Sequence, residues 1–545
     1  MRGDPAAKEP ALAAARTTAA KSAEHGGAEG GTHQPIKTTE ADSRFLALSV
    51  TATGDPQHRV TCAGACTVID YTMNLPKIIQ GGMGAGISSW RLARAVSSLG
   101  QLGVVSGIAL DVITARRLQD GDPDGSVRRA MEQFPLRGIA ERIINRYFIA
   151  GGKRGDDPYK TVPMHTARAT PELDELCMIG NFVEVFLARE GHDRPVGINY
   201  LEKIQLPHLS SLYGAMLAGV AVVLMGAGIP TKIPGVLDKL SRHEAATYEL
   251  TVSGAEPGEA TLIEFDPAAY AETKAMPPLE RPQFIAIVSS NVVASTILRR
   301  SNGRVDGFVV EMPTAGGHNA PPRGALQLDA EGQPVYGDKD AVDLAKIRDL
   351  GIPFWLAGGY ATSARLSDAL DTGAAGVQVG TAFSLCEESG LKNEYRLALL
   401  QAACDGTADV FTDPLASPTG FPFKVANASG TLADASLYDS RKRVCDLGFL
   451  REAYRRDDGV VGFRCPAEPV DAYVAKGGAE ARTAGRKCLC NALVANIGHA
   501  QLRGDRPELP LITAGDDLRN VARFVRTGGS TYCARDVIEQ ILGVA

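Results

Sequence analysis

The residues most able to do chemistry lie in Ala315-Gly316-Gly317-His318-Asn319-Ala320-Pro321-Pro322-Arg323-Gly324, which follows the apolar run Gly307-Phe308-Val309-Val310-Glu311. A buried strand that breaks into two glycines and then presents a histidine puts a titratable ring at the end of a rigid element, with bare backbone beside it for a ligand. His318 is therefore the candidate catalytic residue, and an ordinary imidazole pKa of about 6.5 suits a general base or a hydrogen-bond partner. Alone it is equally a residue of a turn rich in glycine and proline. Two stretches downstream shift that balance: Phe354-Trp355-Leu356-Ala357-Gly358-Gly359 and Gly376-Val377-Gln378-Val379-Gly380-Thr381. Each is a short apolar strand running into glycine and a helix start, which leaves N–H groups free to cradle a phosphate. Upstream, Gln80-Gly81-Gly82-Met83-Gly84-Ala85-Gly86 lets backbone lie against a flat ligand where side chains would collide, and Asn199 offers an amide that can both donate and accept at a heterocycle edge.

These residues need a scaffold that brings strand ends together. Short, continuous, β-branched runs recur at 77–80, 103–106, 196–199, 220–225, 284–288, 308–310, 354–357 and 377–379, as strands buried on both faces should. Helix-length amphipathic segments at 89–99, 206–217, 294–300, 340–350 and 363–372 separate most of them. Alternating strand and helix implies a parallel sheet with right-handed crossovers, and eight such units predict an α/β fold of the TIM (β/α)8 barrel type. An open doubly wound sheet is the rival. Paired glycine cradles after the seventh and eighth strands favour the barrel, where phosphate is commonly held at that position.

The predicted organisation is a disordered arm over residues 1–45, a barrel over 46–425 with long insertions at 107–194 and 227–282, and a mainly helical appendage over 426–545. The first insertion shows helical pattern at 126–131 and 138–144. The second reads as a hairpin of 247–252 and 261–265, and both leave from strand C-terminal ends, where they can wall a site.

The chain has 545 residues, 44% of them apolar, and a net charge of −6. With a pI near 5.9 it carries no basic excess, which argues against nucleic acid or an anionic membrane as main partner. The longest apolar stretch, about Leu217 to Ile229, falls short of the roughly 20 residues a bilayer requires, and the arm contains no apolar core of the kind a secretory signal needs, so a cytoplasmic protein is expected. The ten cysteines are scattered, as in a reducing compartment. Cys62 with Cys66, and Cys445, Cys465, Cys488 and Cys490, are expected to be small buried hydrophobes, the alternative for the four tail cysteines being a zinc ion or an iron–sulfur cluster. The Cys-x-Cys spacing lacks the Cys-x-x-Cys knuckles of zinc sites, and no metal is predicted.

Taken in order, Ile78-Ile79-Gln80-Gly81-Gly82-Met83-Gly84, Gly197-Ile198-Asn199, Ala315-Gly316-Gly317-His318, Ala357-Gly358-Gly359 and Gly376-Val377-Gln378-Val379-Gly380-Thr381 resemble the motifs of the nitronate monooxygenase (2-nitropropane dioxygenase) family, over roughly residues 75–425. That fold also includes flavin-dependent enoyl reductases. The resemblance implies FMN in the barrel, its phosphate on Gly358, Gly359, Gly380 and Thr381. Backbone around Gly82 and Met83, with Asn199 and Gln378, would then meet the isoalloxazine ring, Gly81 and Gly317 being further cofactor-binding residues, with His318 at the flavin face. The Asn319-Ala320-Pro321-Pro322 segment departs from the family pattern after the histidine. The length, the insertions and the tail look more like the larger members associated with polyunsaturated fatty-acid and polyketide synthases.

The resemblance therefore implies an FMN-dependent oxidoreductase that oxidises small alkyl nitronates with O2. The alternative is a trans-acting reductase of enoyl thioesters, with NAD(P)H as reductant, an acyl carrier protein or synthase as partner, and Arg323 or Lys153 on a phosphate. A non-catalytic barrel holding a phosphorylated ligand is the third reading. A homodimer is left open.

Overall fold

The computed structural model describes residues 75–544, within one compact unit, Thr72–Ala545. The predicted arm, Cys62 and Cys66 lie outside the described residues.

Eight strands are present where the apolar runs predict them: Ile78–Gln80, Gly103–Ser106, Val196–Leu201, Val222–Gly226, Gln283–Val288, Gly307–Glu311, Phe354–Ala357 and Gly376–Val379. Each pairs in parallel with its neighbour in chain order, and the first pairs with the eighth. The circle closes between the first and second strands, where Gln80 N–H donates to the Leu102 carbonyl at 2.9 Å and Leu102 N–H to Ile78 at 3.1 Å. The fold is the (β/α)8 barrel.

Because side chains alternate across a strand, one set fills the barrel and the other meets the helices. Ile79, Val104, Leu224, Ile285, Val309 and Trp355 form the inner core. Trp355 is buried and its indole N–H donates to the Pro76 carbonyl at 2.8 Å, which satisfies the polar atom at the barrel floor. Two residues further along each strand, the inward positions are Ser106, Asn199, Gly226, Ile287, Glu311 and Gln378. All six line the cleft at the C-terminal mouth. The period of two that fills the core thus also decides which side chains face a ligand.

The outer helices Trp90–Ser98, His208–Leu217, Asn291–Arg300 and Ser363–Asp371 match expectation. Thr362 caps the last of these by accepting from Arg365 N–H at 3.2 Å. The helix expected over 340–350 is shorter. A 3-10 turn at Asp338–Asp340 precedes a helix at Leu344–Arg348, because Asp343 takes an extended backbone and caps the second piece through Lys346 N–H at 3.2 Å.

The connection after the second strand carries four helices, Leu110–Gln119, Ser126–Met131, Arg137–Tyr147 and Pro171–Arg189. The hairpin of the second insertion pairs Ala246–Leu250 with Thr261–Phe265, antiparallel. C-terminal to the barrel, helices Val470–Ala475, Leu489–Ala495 and Ala534–Leu542 are interleaved with strands. Val410–Asp413 pairs with Phe423–Ala426, and Glu452–Arg455 adds in parallel to Val252–Ser253. The tail is thus hydrogen-bonded to the second insertion above the barrel mouth. Among the described residues no helix is long and apolar enough to cross a membrane.

Candidate active site

The mouth of the barrel holds a cleft of about 1550 Å³ counted with its open end. All eleven residues singled out from the sequence line it: Gly81, Gly82, Met83, Asn199, Gly317, His318, Gly358, Gly359, Gln378, Gly380 and Thr381. Arg323 and Lys153 do not. Arg323 donates to the Lys339 carbonyl at 2.6 Å, and Lys153 donates to the Asp157 carbonyl at 2.8 Å and lies over the Tyr159 ring.

The glycine loop after the first strand is held from beneath. Ser88 Oγ donates to the Gly81 carbonyl at 2.9 Å and accepts from Met83 N–H at 2.9 Å, while buried Gln80 contacts Ser88 at 2.9 Å and accepts from Val104 N–H at 3.0 Å. Loss of a side chain at Gly82 is a packing requirement: a Cβ there would stand 2.3 Å from Asn199 Cβ. At Gly358, φ is +99° and a Cβ would stand 2.7 Å from Thr314 Oγ1. The N–H groups of Gly358, Gly359 and Gly380 find no acceptor among the described residues, so they remain available to an anion.

Two buried acceptors on the cleft wall, Asn199 Oδ1 and Gln378 Oε1, have no hydrogen-bond partner among the described residues. Orphaned buried acceptors are costly and point to donors on a ligand. A flat face of bare backbone, two unpaired amide oxygens at the strand ends and free N–H groups beyond them fit a planar, N–H-bearing heterocycle with a phosphate tail. The residues present therefore fit FMN.

His318 faces this cleft from the loop after the sixth strand. Its Nε2 lies 2.6 Å from Ser417 Oγ, and its ring stands edge-on to Phe423 with centroids 4.9 Å apart. The backbone on both sides is fixed: Lys424 N–H donates to Gly317 O at 2.9 Å, Asn319 N–H to Pro422 O at 2.9 Å, and Gly317 N–H to Thr513 Oγ1 at 2.8 Å. Arg486 clamps the serine loop by donating to the carbonyls of Leu415 and Ser417 at 2.8 and 2.6 Å. Burial drives the His318 pKa down to about 3, and the Lys203 charge adds to the effect. The expectation of a ring that titrates near neutrality is thereby corrected. A half-buried imidazole packed edge-on to Phe423, with the Lys203 charge near it, is disfavoured as a cation, so the neutral ring works as a donor and acceptor.

Sequence reasoning missed two kinds of residue. Glu311 ends the sixth strand facing the cleft, and burial pushes its pKa up to about 7. Strand alternation from Val309 could have found it. Lys203 lies 2.8 Å from the Phe421 ring centroid, and its pKa falls to about 7 by burial. The second kind comes from the tail: Phe449, Leu450, Leu489, Cys490, Leu493 and the segment around Thr513 and Gly515 line the same cleft. Gly515 N–H donates to Thr381 Oγ1 at 2.8 Å, and a Cβ on Gly316 would meet Gly515 N at 2.8 Å. No local signal places that segment there, because the contact joins positions far apart in the chain.

Fold and site together define an eight-stranded α/β barrel whose ligand cleft sits at the C-terminal ends of its strands. Residues 262–416 match the family model described as "Nitronate monooxygenase", and the resemblance of this chain to that family is borne out. A nitronate monooxygenase of Pseudomonas aeruginosa is 31% identical over 170 residues, 30% of this chain and 46% of the relative. The (3aS,4S,5R,7aS)-5-hydroxy-7a-methyl-1-oxo-octahydro-1H-indene-4-carboxyl-CoA dehydrogenase of Mycobacterium tuberculosis is 34% identical over 102 residues, 19% of this chain and 25% of the relative. The chain thus spans less than half the length of these curated relatives. Among solved structures, a nitroalkane oxidase from Streptomyces ansochromogenes aligns over 86% of this chain and 95% of its own, with 17% identity and a TM-score of 0.43.

Proposed function

We propose that this chain is an FMN-dependent oxidoreductase that oxidises small alkyl nitronates with O2. The observation that carries the reading is the pair of unpartnered buried amide oxygens, Asn199 Oδ1 and Gln378 Oε1, facing a glycine-walled cleft that also holds His318. FMN would be held by the backbone at Gly81, Gly82 and Met83, by Asn199 and Gln378 at the ring edge, by Gly317 beside the ring, and by Gly358, Gly359, Gly380 and Thr381 at the phosphate. When bound, it supplies electron transfer from substrate to oxygen. The chain's own contribution is placement. His318 presents a neutral imidazole to the nitro group, its Nε2 steadied by Ser417, and the apolar wall of Phe449, Leu450 and Leu493 keeps water from the nitronate.

A second reading, NAD(P)H-dependent reduction of enoyl thioesters, draws on the coenzyme A thioester dehydrogenase among the relatives. There His318 would orient the proton for the α-carbon, and the thioester would be carried by coenzyme A or an acyl carrier protein. The decisive experiment is direct. Purified protein should be yellow and release FMN on denaturation. Oxygen uptake with propionate 3-nitronate is then compared with NAD(P)H loss on an enoyl thioester. Colourless protein that cannot be reconstituted with FMN would sink both enzyme readings in favour of a phosphate-ligand-binding barrel.

Glu311 supplies a test by pH. Its folded pKa is raised from 4.5 to about 7, so the folded protein holds the proton more tightly than the unfolded chain. Stability is undiminished below the ordinary carboxylate range and falls as pH rises toward 7. In the flavin-free protein, Glu311→Gln should therefore raise Tm over wild type at about pH 8 and change it little at about pH 4. Equal effects at both would remove the buried carboxyl from the account.

A further inference from the structure

Four of the eight cysteines in the described residues converge. Cys465 and Cys488 are buried in one small cluster, with Cys445 and Cys490 packed against it. They come from three places in the tail: the segment after residue 440, the residue that follows the hairpin strand Val461–Arg464, and the start of the helix Leu489–Ala495 with the residue before it. A set of neutral thiols acting as hydrophobes would need neither hydrogen-bond donors nor a nearby cation. This set has both. Asn491 Nδ2 donates to Cys488 Sγ at 3.5 Å, and the backbone N–H groups of Phe449 and Leu450 face Cys490, as that of Ala467 faces Cys465. The Arg451 guanidinium carries its charge beside Cys445, Cys465 and Cys490, and Arg441 beside Cys488. The neighbouring carboxylates Asp446 and Glu468 are occupied by Arg503 at 2.7 Å and Lys476 at 2.7 Å.

We propose that Cys445, Cys465, Cys488 and Cys490 ligate an iron–sulfur cluster in the wall of the barrel cleft. N–H···S contacts and local positive charge are the means by which a protein steadies a tetrathiolate cluster. The spacing of the sulfurs separates this from a single zinc ion. Four thiolates at about 2.3 Å from zinc lie roughly 3.8 Å from one another. Among the described residues, three metal-ligating atoms mutually within 4.8 Å occur at Asp111, His165 and Cys177, and not among these four sulfurs. The His165 trio is itself accounted for by the hydrogen bond from His165 to Asp111 at 2.9 Å. A polynuclear cluster spans the wider gap. Cys490 also lines the cleft that holds His318, so the cluster sits against the candidate active site. The inference does not rest on flavin being bound there.

The test is a metal count on the full-length protein purified without air. Iron and acid-labile sulfide in equal amounts, with zinc absent, are expected, together with loss of both in Cys465→Ser and their retention in Cys404→Ser, an exposed cysteine outside the group. Zinc without sulfide overturns the proposal. So does wild-type protein that holds neither iron nor sulfide after treatment with ferrous iron and sulfide, or a Cys465→Ser protein that keeps its full iron. The assay reads neither flavin nor turnover, so a failure of the flavin reading leaves its result unchanged.

Discussion

Replacing His318 by alanine should lower turnover by roughly 10²-fold or more while leaving FMN bound, since a positioned proton-transfer or hydrogen-bonding group contributes on that order. The prediction separates two roles. His318 reaches the cleft from the loop after the sixth strand, whereas the expected phosphate contacts follow the seventh and eighth. Truncating the ring removes the partner of Ser417 Oγ and the edge contact with Phe423, yet the loop keeps its backbone bonds to Pro422, Lys424 and Thr513. The flavin seat should therefore survive. Flavin content is read from absorbance, and kcat from oxygen uptake or NAD(P)H loss. An unchanged kcat would remove His318 from the chemistry, and loss of flavin together with kcat would make it a binding residue. Because burial drives its pKa down to about 3, the wild-type rate should carry no His318 inflection between about pH 5 and 8. Inflections in that window belong to Glu311 and Lys203, both near 7.

How far the sequence reaches is visible in these same residues. The barrel is legible because each strand is buried on both faces and reads as a continuous apolar run, while the glycines that end them announce strand ends. His318, Gly358 and Gly380 are therefore found by local pattern, and the barrel's closure then brings them to one cleft. What makes the cleft specific is not local. The Gly515 N–H reaches Thr381 Oγ1 across 134 residues, and Phe423 pairs with His318 across a loop whose composition reads as irregular. The pKa of His318 follows from that enclosure, so the ordinary imidazole value was the wrong guide. Cys490 shows the same limit. Cys-x-Cys spacing suggests no metal knuckle, and only folding brings Cys445 and Cys465 beside it.

Substituting valine for Gly359 should weaken FMN binding by more than tenfold and leave the barrel folded. The argument rests on what surrounds that residue. At Gly358 a Cβ would strike Thr314 Oγ1 at 2.7 Å and Met312 Cβ at 3.0 Å, so a substitution there disturbs the protein itself. At Gly359 a Cβ meets only Thr314 Oγ1 at 4.0 Å, and the added methyls stand in the open cleft, beside the N–H groups that a phosphate would use. The backbone cost is real but bounded: φ is +76°, a left-handed conformation that costs a branched residue about 1–2 kcal/mol. A drop of that size in unfolding free energy lowers Tm by only a few degrees in a chain of this length, whereas displacement of a phosphate from its donors removes charge-assisted hydrogen bonds worth about 1.5–3 kcal/mol each. Flavin titration of the stripped variant, set beside its thermal melt, distinguishes the two. Undiminished FMN affinity with a lowered Tm would move the phosphate away from the loop after the seventh strand, leaving Gly380 and Thr381 to hold it alone.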